Sequence, residues 1–210
     1  MKIAVITDTS TAAKNGAVMG ALAAARPACE VFNLGQKGNA GESELFIYET
    51  AFLSALVLNL RCVDFVIGGC GTGQGYLNCV LQFPGVTCGL ILEAVDAWLF
   101  PRINNGNCVS LALNKGYGWA GEKNLEFIFE KLFSGEGGEG YPPERRVPQQ
   151  KIRGKISALS LCARKDFAEI IRTIDGEIFE NVTRFPGVMT FIKEHAQERG
   201  DAYNALLERK

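Results

Sequence analysis

Short β-branched runs alternate with longer helical patterns along the first 133 residues, and this alternation restricts the possible folds more than any other feature of the chain. The strand-like runs are Lys2–Thr7 (KIAVIT), Cys29–Asn33 (CEVFN), Asp64–Gly68 (DFVIG), Val86–Leu90 (VTCGL) and Asn107–Leu111 (NCVSL). Between them, apolar residues recur at helical spacing over Thr11–Arg26, Leu45–Leu60, Gly73–Gln82, Glu93–Pro101 and Gly118–Phe133. Five βα units in succession predict an α/β fold with a five-stranded parallel sheet covered by helices on both faces. A sheet of that kind places its ligand site at the C-terminal ends of its strands. Asp8 and Cys70, which directly follow strands, and the loop before Asn107 are therefore the first candidates.

The pattern stops after Phe133. Ser134–Gln150 (SGEGGEGYPPERRVPQQ) is rich in Gly and Pro and reads as a linker or extended arm. Helical periodicity returns over Lys155–Ile174 and Val188–Leu207, with Pro186-Gly187 as a break. The expected organisation is an α/β domain over 1–133, a linker over 134–150, and a helical C-terminal extension over 151–210. That extension packs on the sheet domain or on a second subunit.

Composition removes several classes of function. With 47% hydrophobic and 21% charged residues and a net charge of −1, the chain has no general attraction for nucleic acid or an anionic membrane. Met1-Lys2-Ile3 runs straight into a strand pattern, so no secretory signal is expected, and the apolar stretch Ala51–Leu60 is too short to span a bilayer. Seven cysteines without a CxxC pair are expected as free thiols in a reducing cytoplasm. The single histidine, His195, has no cysteine pair beside it, so no zinc or other metal site is expected.

One thiol stands apart. Cys70 lies among five glycines in VIGGCGTGQG, at a strand-to-helix turn. The dinucleotide fingerprint fails because Tyr76 stands where its third glycine belongs. A Walker loop fails because Gln74 follows Gly73, and a cysteine-phosphatase loop would want arginine at Tyr76. What remains is a compact turn whose N–H groups from Gly71 to Gly75 converge on an anion, with a thiol whose ionised form the same donors favour. Base and cradle together suit removal of a proton next to a carbonyl, with the enediolate oxygen held by fixed donors. A packing role for the cysteine is the alternative.

GGCGTGQG, with Asp8 after the first strand, Glu93-Ala-Val-Asp-Ala97 after the fourth and Asn104-Asn105-Gly106-Asn107 before the fifth, resembles the family of ribose-5-phosphate isomerase B and galactose-6-phosphate isomerase over roughly the first 147 residues. The resemblance implies a Rossmann-like sheet, a homodimer with shared active sites, and aldose–ketose isomerisation of phosphorylated sugars without metal or cofactor. It implies Cys70 as proton-transfer base, Thr72 and the N–H groups of Gly71, Gly73 and Gly75 as holders of the oxyanion, and Asp8 on the sugar. It further implies Asn104 on sugar hydroxyls and Arg145 or Arg146 on a phosphate.

Alternatives stand beside these roles. Asp8 could cap the helix beginning near Thr11, Asn104 and Asn105 could form a turn, and Arg145 and Arg146 could belong to a solvated basic face or a short nucleic-acid patch with Lys151, Arg153 and Lys155. A non-catalytic sugar-phosphate binding protein is the rival function. Three departures from the family pattern limit the transfer of roles, and the two missing histidines among them support the rival. Thr9 follows the aspartate where the family has histidine, Ile103 beside Arg102 stands where it has another, and a tail of about 60 residues follows that shorter members lack. Thr9 and Arg102 are the substrate-binding candidates at those altered positions.

Overall fold

The computed structural model describes residues 1–25 and 29–209. Its five strands are β1 (Lys2–Ile6), β2 (Glu30–Asn33), β3 (Phe65–Cys70), β4 (Cys88–Ile91) and β5 (Cys108–Ala112). All pair in parallel, in the order β2-β1-β3-β5-β4. From β1 the chain first winds outward to β2, then returns to place β3 on the other side of β1. The crevice at such a reversal lies at the C-terminal ends of β1 and β3. Asp8 and Cys70 are there.

Both faces of the sheet are covered, as a parallel sheet requires. On one face α1 (Asn15–Ala25) and α5 (Gly121–Leu132) bury Val18, Leu22, Leu125, Ile128 and Phe129 against Ile3, Val5 and Ile67. On the other, α2 (Ile47–Asn59) and α3 (Gln74–Val80) pack against Ala4, Ile6 and Val66. α4 (Ala94–Asn104) lies against α5. The expected end of the first helix at Arg26 lies outside the described residues. In α2 every residue from Glu49 to Leu58 is buried, so a second layer must cover the side turned away from the sheet.

The C-terminal helices supply that layer. α6 (Arg146–Ala163) is followed by α7 (Phe167–Thr173), α8 (Gly176–Arg184), α9 (Val188–His195) and α10 (Asp201–Glu208). Phe167, Ile171, Phe179, Val182, Phe191, Ile192 and Leu206 join the same apolar cluster as α2. Of the two placements expected for the extension, α7 to α10 take the one on their own sheet domain. α6 differs, because none of its residues is buried, and Val147, Ile152, Ile156, Leu159 and Leu161 are all exposed.

Several boundaries depart from expectation, among them the helix expected over Lys155–Ile174, which is broken between Ala163 and Phe167 into α6 and α7. α6 begins at Arg146, inside the stretch read as linker, because Pro148 falls in the first turn, where its missing N–H has no intrahelical partner to lose. α8 was not expected; Asp175 starts it by accepting from the N–H groups of Glu177 and Ile178. The single helix expected over Val188–Leu207 is two, broken around Ala196–Gly200.

Phe179 tests whether the tail is part of the core. It is 4% exposed, lies 6.4 Å from the Phe52 ring and is covered by the Arg209 guanidinium. Phe179→Ala is expected to lower stability by roughly 3–5 kcal/mol in urea unfolding. A loss below about 1 kcal/mol would mean that the tail is only loosely docked.

Candidate active site

Asp8 leaves β1 in an extended conformation and is 3% exposed. Its carboxylate accepts from Ser10 Oγ at 2.8 and 2.9 Å and from Thr11 Oγ1 at 2.5 Å. It sits at the capping position of the turn Thr9–Lys14, yet its side chain makes no capping bond to a backbone N–H. Thr9 Oγ1 lies 2.6 Å from Gln36 Oε1 and 3.1 Å from the Leu45 carbonyl, tying this strand end to the segment that leads into α2.

Two close approaches build the turn after β3. A Cβ on Gly68 would lie 2.2 Å from the Tyr76 ring, so the glycine lets α3 settle directly on the strand. Gly73 has φ +76°, and a Cβ there would lie 2.6 Å from Leu90 Cδ1. Buried Ser110 donates to the Gly73 carbonyl at 2.5 Å and holds the turn to β5. Cys70 is 6% exposed, and its Sγ lies 3.6 Å from the Cβ position of Gly75.

These pieces meet in a cleft of about 510 Å³ lined by Asp8, Thr9, Ser10, Phe46, Ile47, Tyr48, Cys70, Gly71 and Thr72. The expected donor set needs one correction. The Gly73 N–H is committed to the Cys70 carbonyl at 3.2 Å, and the Gln74 N–H faces Thr72 Oγ1 at 3.4 Å. The N–H groups of Gly71, Thr72 and Gly75 have no partner among the described residues. A larger hollow of about 780 Å³ lies between α3, α6 and α7, but its wall is chiefly apolar, with Arg164 and Lys165 at one end. It has no acid–base pair comparable to Cys70 and Asp8.

The remaining candidates lie at the other edge of the sheet. Asn107 precedes β5, whose far end Ala112 is in register with Cys70, a separation of five residues or roughly 16 Å along the strand. Arg102 and Asn104 end α4 at the Asn107 end. Arg102, expected to bind substrate, is 7% exposed and already engaged: Nε pairs with Glu139 at 2.5 Å, Nη1 donates to the Trp98 carbonyl at 2.9 Å, and the guanidinium lies over the Trp98 ring. It staples the 134–140 loop to α4. Asn105 ends α4 at φ +51°, a turn role, whereas Asn104 is exposed. Arg145 and Arg146 are exposed on the same side, where Arg146 packs on Gly140 and the Gly140 N–H bonds the Arg102 carbonyl. His195 is also remote from Cys70, set between Phe32 and Phe191 beside Lys2 at the start of β1. One chain thus unites Asp8, Thr9, Cys70, Gly71, Thr72 and Gly75, and separates them from Arg102, Asn104, Arg145 and Arg146.

Sequence reasoning missed the wall made by Phe46, Ile47 and Tyr48. A helix following a strand starts at the sheet's C-terminal edge, so a helix expected from Leu45 already carried that signal. The Tyr48 phenol is raised from its ordinary value by desolvation and then by the carboxylates of Glu49, of Glu177 on α8 and of Asp175, which caps that helix. Among the described residues no three of His, Cys, Asp and Glu gather as metal ligands, and no helix is long and apolar enough to cross a membrane.

The parallel sheet thus brings a glycine-set thiol and a carboxylate to one cleft at its switch point. The ribose/galactose isomerase family matches residues 3–147. A crystal structure of 4-deoxy-L-threo-5-hexosulose-uronate ketol-isomerase complexed with a tartrate is 36% identical, with 100% of both chains covered and a TM-score of 0.94. A ribose-5-phosphate isomerase from Vibrio parahaemolyticus is 40% identical over 98% of this chain and 97% of its own, with a TM-score of 0.93. The type B ribose 5-phosphate isomerase of Leishmania infantum shares the fold at 19% identity, covering 76% of this chain and 95% of its own, with a TM-score of 0.63. A search of curated proteins gave no significant match. The chain belongs to the ribose/galactose isomerase family and is an aldose–ketose isomerase.

The turn itself can be tested apart from any substrate. Gly73→Ala is expected to cost about 1–3 kcal/mol in urea unfolding, from strain at positive φ and the clash with Leu90. Gly20→Ala, on α1 with no atom within 4 Å of its Cβ position, is expected to be neutral or stabilising. Equal effects at the two sites would refute the close-packed turn.

Proposed function

We propose that the chain interconverts an aldose and a ketose through an enediolate, with Cys70 as the proton carrier. The observation that carries this reading is the position of Cys70 Sγ at a cleft shared with Asp8 and with the N–H groups of Gly71, Thr72 and Gly75. The thiolate takes the proton from the carbon next to the carbonyl. The C–H electron pair becomes the enediolate double bond, and the negative charge moves to the carbonyl oxygen, held by the N–H donors and the Thr72 hydroxyl. Asp8 relays the proton between the two oxygens, and Cys70 returns its proton to the other carbon.

The substrate we favour is a keto-uronate of the kind named for the 36%-identical ketol-isomerase; the likeness to it and to the 40%-identical Vibrio protein extends equally over α7 to α10, so the preference rests on chemistry. Chemistry agrees with the residues present. Ordinary aldose phosphates are mostly cyclic and must be opened, but Thr9 and Ile103 replace the two histidines of the family resemblance, and Ile103 cannot move a proton. A 4-deoxy-5-hexosulose has no hydroxyl on its fourth or fifth carbon, so its aldehyde cannot close the usual furanose or pyranose ring. Such a substrate needs no ring-opening residue. A phosphorylated sugar is the second reading, favoured by the name of the 40%-identical Vibrio protein.

Either substrate ends in an anion, yet among the described residues no lysine or arginine lines the cleft. We infer that a second copy of the chain supplies the charge, with its Arg145 or Arg146 reaching the first copy's site in a homodimer. Helix α6, with no buried residue and with Val147, Ile152, Ile156, Leu159 and Leu161 exposed, supports a partner at that position.

Incubation in D2O with the keto-uronate, with ribose 5-phosphate and with galactose 6-phosphate should introduce deuterium next to the carbonyl, fastest with the keto-uronate. Exchange in none of them would leave the non-catalytic binding protein as the function. Cys70→Ala should abolish turnover and exchange while the melting temperature stays nearly unchanged; a variant with wild-type turnover removes Cys70 from the mechanism. Mixing Cys70→Ala with Arg145→Ala/Arg146→Ala should restore activity, because one site of each hybrid dimer carries neither defect. No recovery in a mixture shown to exchange subunits would refute the shared site.

A further inference from the structure

The wall opposite Cys70 is held in place from outside the sheet domain. Ile47 Cδ1 comes to 3.0 Å of the Cβ position of Gly75, which is itself 3.6 Å from Cys70 Sγ. Two residues after Ile47, Glu49 is 0% exposed. Its Oε2 accepts from the Phe46 N–H at 2.6 Å, and its Oε1 accepts from Asn181 Nδ2 at 2.6 Å. Among the described residues no cation forms an ion pair with it. A buried carboxylate without a cation persists only where hydrogen bonds hold its charge, so these two contacts are tightly specified.

Asn181 comes from α8, 132 residues further along the chain. We propose that Asn181 and Glu49 form a positioning pair through which the C-terminal helices set the geometry of the active-site wall. The proposal rests on the isomerase reading above. Asn181 orients Glu49, Glu49 fixes the Phe46 N–H and the first turn of α2, and Ile47 on that turn bears on the residue beside Cys70. No residue of the tail lines the cleft, so its influence on turnover passes through this relay. The tail is thereby a working part of the site.

The test uses the full-length chain with Asn181→Asp, Asn181→Ala, Glu49→Gln and the double variant Glu49→Gln/Asn181→Asp, all assayed well below their melting temperatures. Asn181→Asp sets two carboxylates against each other and should lower kcat by about 10- to 100-fold, with a smaller change in KM. Asn181→Ala removes the donor without adding charge and should lower kcat in the same direction. The double variant restores one donor facing one acceptor, keeps an oxygen for the Phe46 N–H, and should recover kcat to within about threefold of wild type. The rate of Cys70 alkylation by iodoacetamide, followed by mass spectrometry of its peptide, should shift in the single variants and return in the double. That readout needs no turnover, so it stays informative if the substrate assignment fails. Folded single variants with wild-type kcat and alkylation rate, differing only in melting temperature, would overturn the proposal. So would a folded double variant that shows no rescue.

Discussion

The site depends on how closely α3 can approach β3. The phenol end of Tyr76 lies directly against Gly68, and any side chain there would push it off the strand. Its phenol is anchored 2.7 Å from Ser54 Oγ on α2 and lies 3.5 Å from Cys108 Sγ on β5, so one buried aromatic joins two helices and two strands. Burial first, then the Cys108 and Cys88 thiols, hold that phenol well above its ordinary range, which keeps it neutral. With α3 so placed, Cys70 ends its strand facing the cleft, and the N–H groups before the helix are left for a ligand.

The same constraint explains the C-terminal helices. α2 is drawn into contact with α3 and with the sheet, and its outer side is as apolar as its inner one. Water on that side would be costly, and α7 to α10 remove it. Once they are docked, α8 reaches the polar first turn of α2 through Asn181 and brings Asp175 and Glu177 near Tyr48. A cover for apolar surface thus also touches the frame of the active site.

The cleft itself is lined by a carboxylate, a thiol and hydroxyl groups, with Lys115 on the adjoining loop bonded through its backbone to Gly71, while Arg145 and Arg146 are at the opposite edge with Arg102, which is used up internally. The proposed exchange of edges between two copies would bring Arg145 and Arg146 to the cleft and would also cover the exposed residues of α6.

Strand and helix alternation over the first 133 residues was legible because periods of two and of 3.6 residues are local properties, and Asp8 and Cys70 were legible because a parallel sheet exposes its C-terminal loops. The glycine turn was legible in outline, but its hydrogen bonding was not: only the packed structure shows the Gly73 N–H turned back on Cys70. That Arg102 and Asn104 lie away from the cleft of their own chain was hidden for a related reason. They end a helix that runs back across the sheet, so a short distance along the chain to β5 hides a full strand length from the cleft. The pairing of Asn181 with Glu49 left no trace in the sequence, since an amide and a carboxylate 132 residues apart carry no periodicity. By itself, then, the sequence determined the parallel α/β layering, the thiol at a strand end and the family pattern. Tertiary structure alone decided which donors remain unpaired, which arginine is consumed and which edge each group occupies, because those outcomes depend on long-range packing that local spacing does not encode.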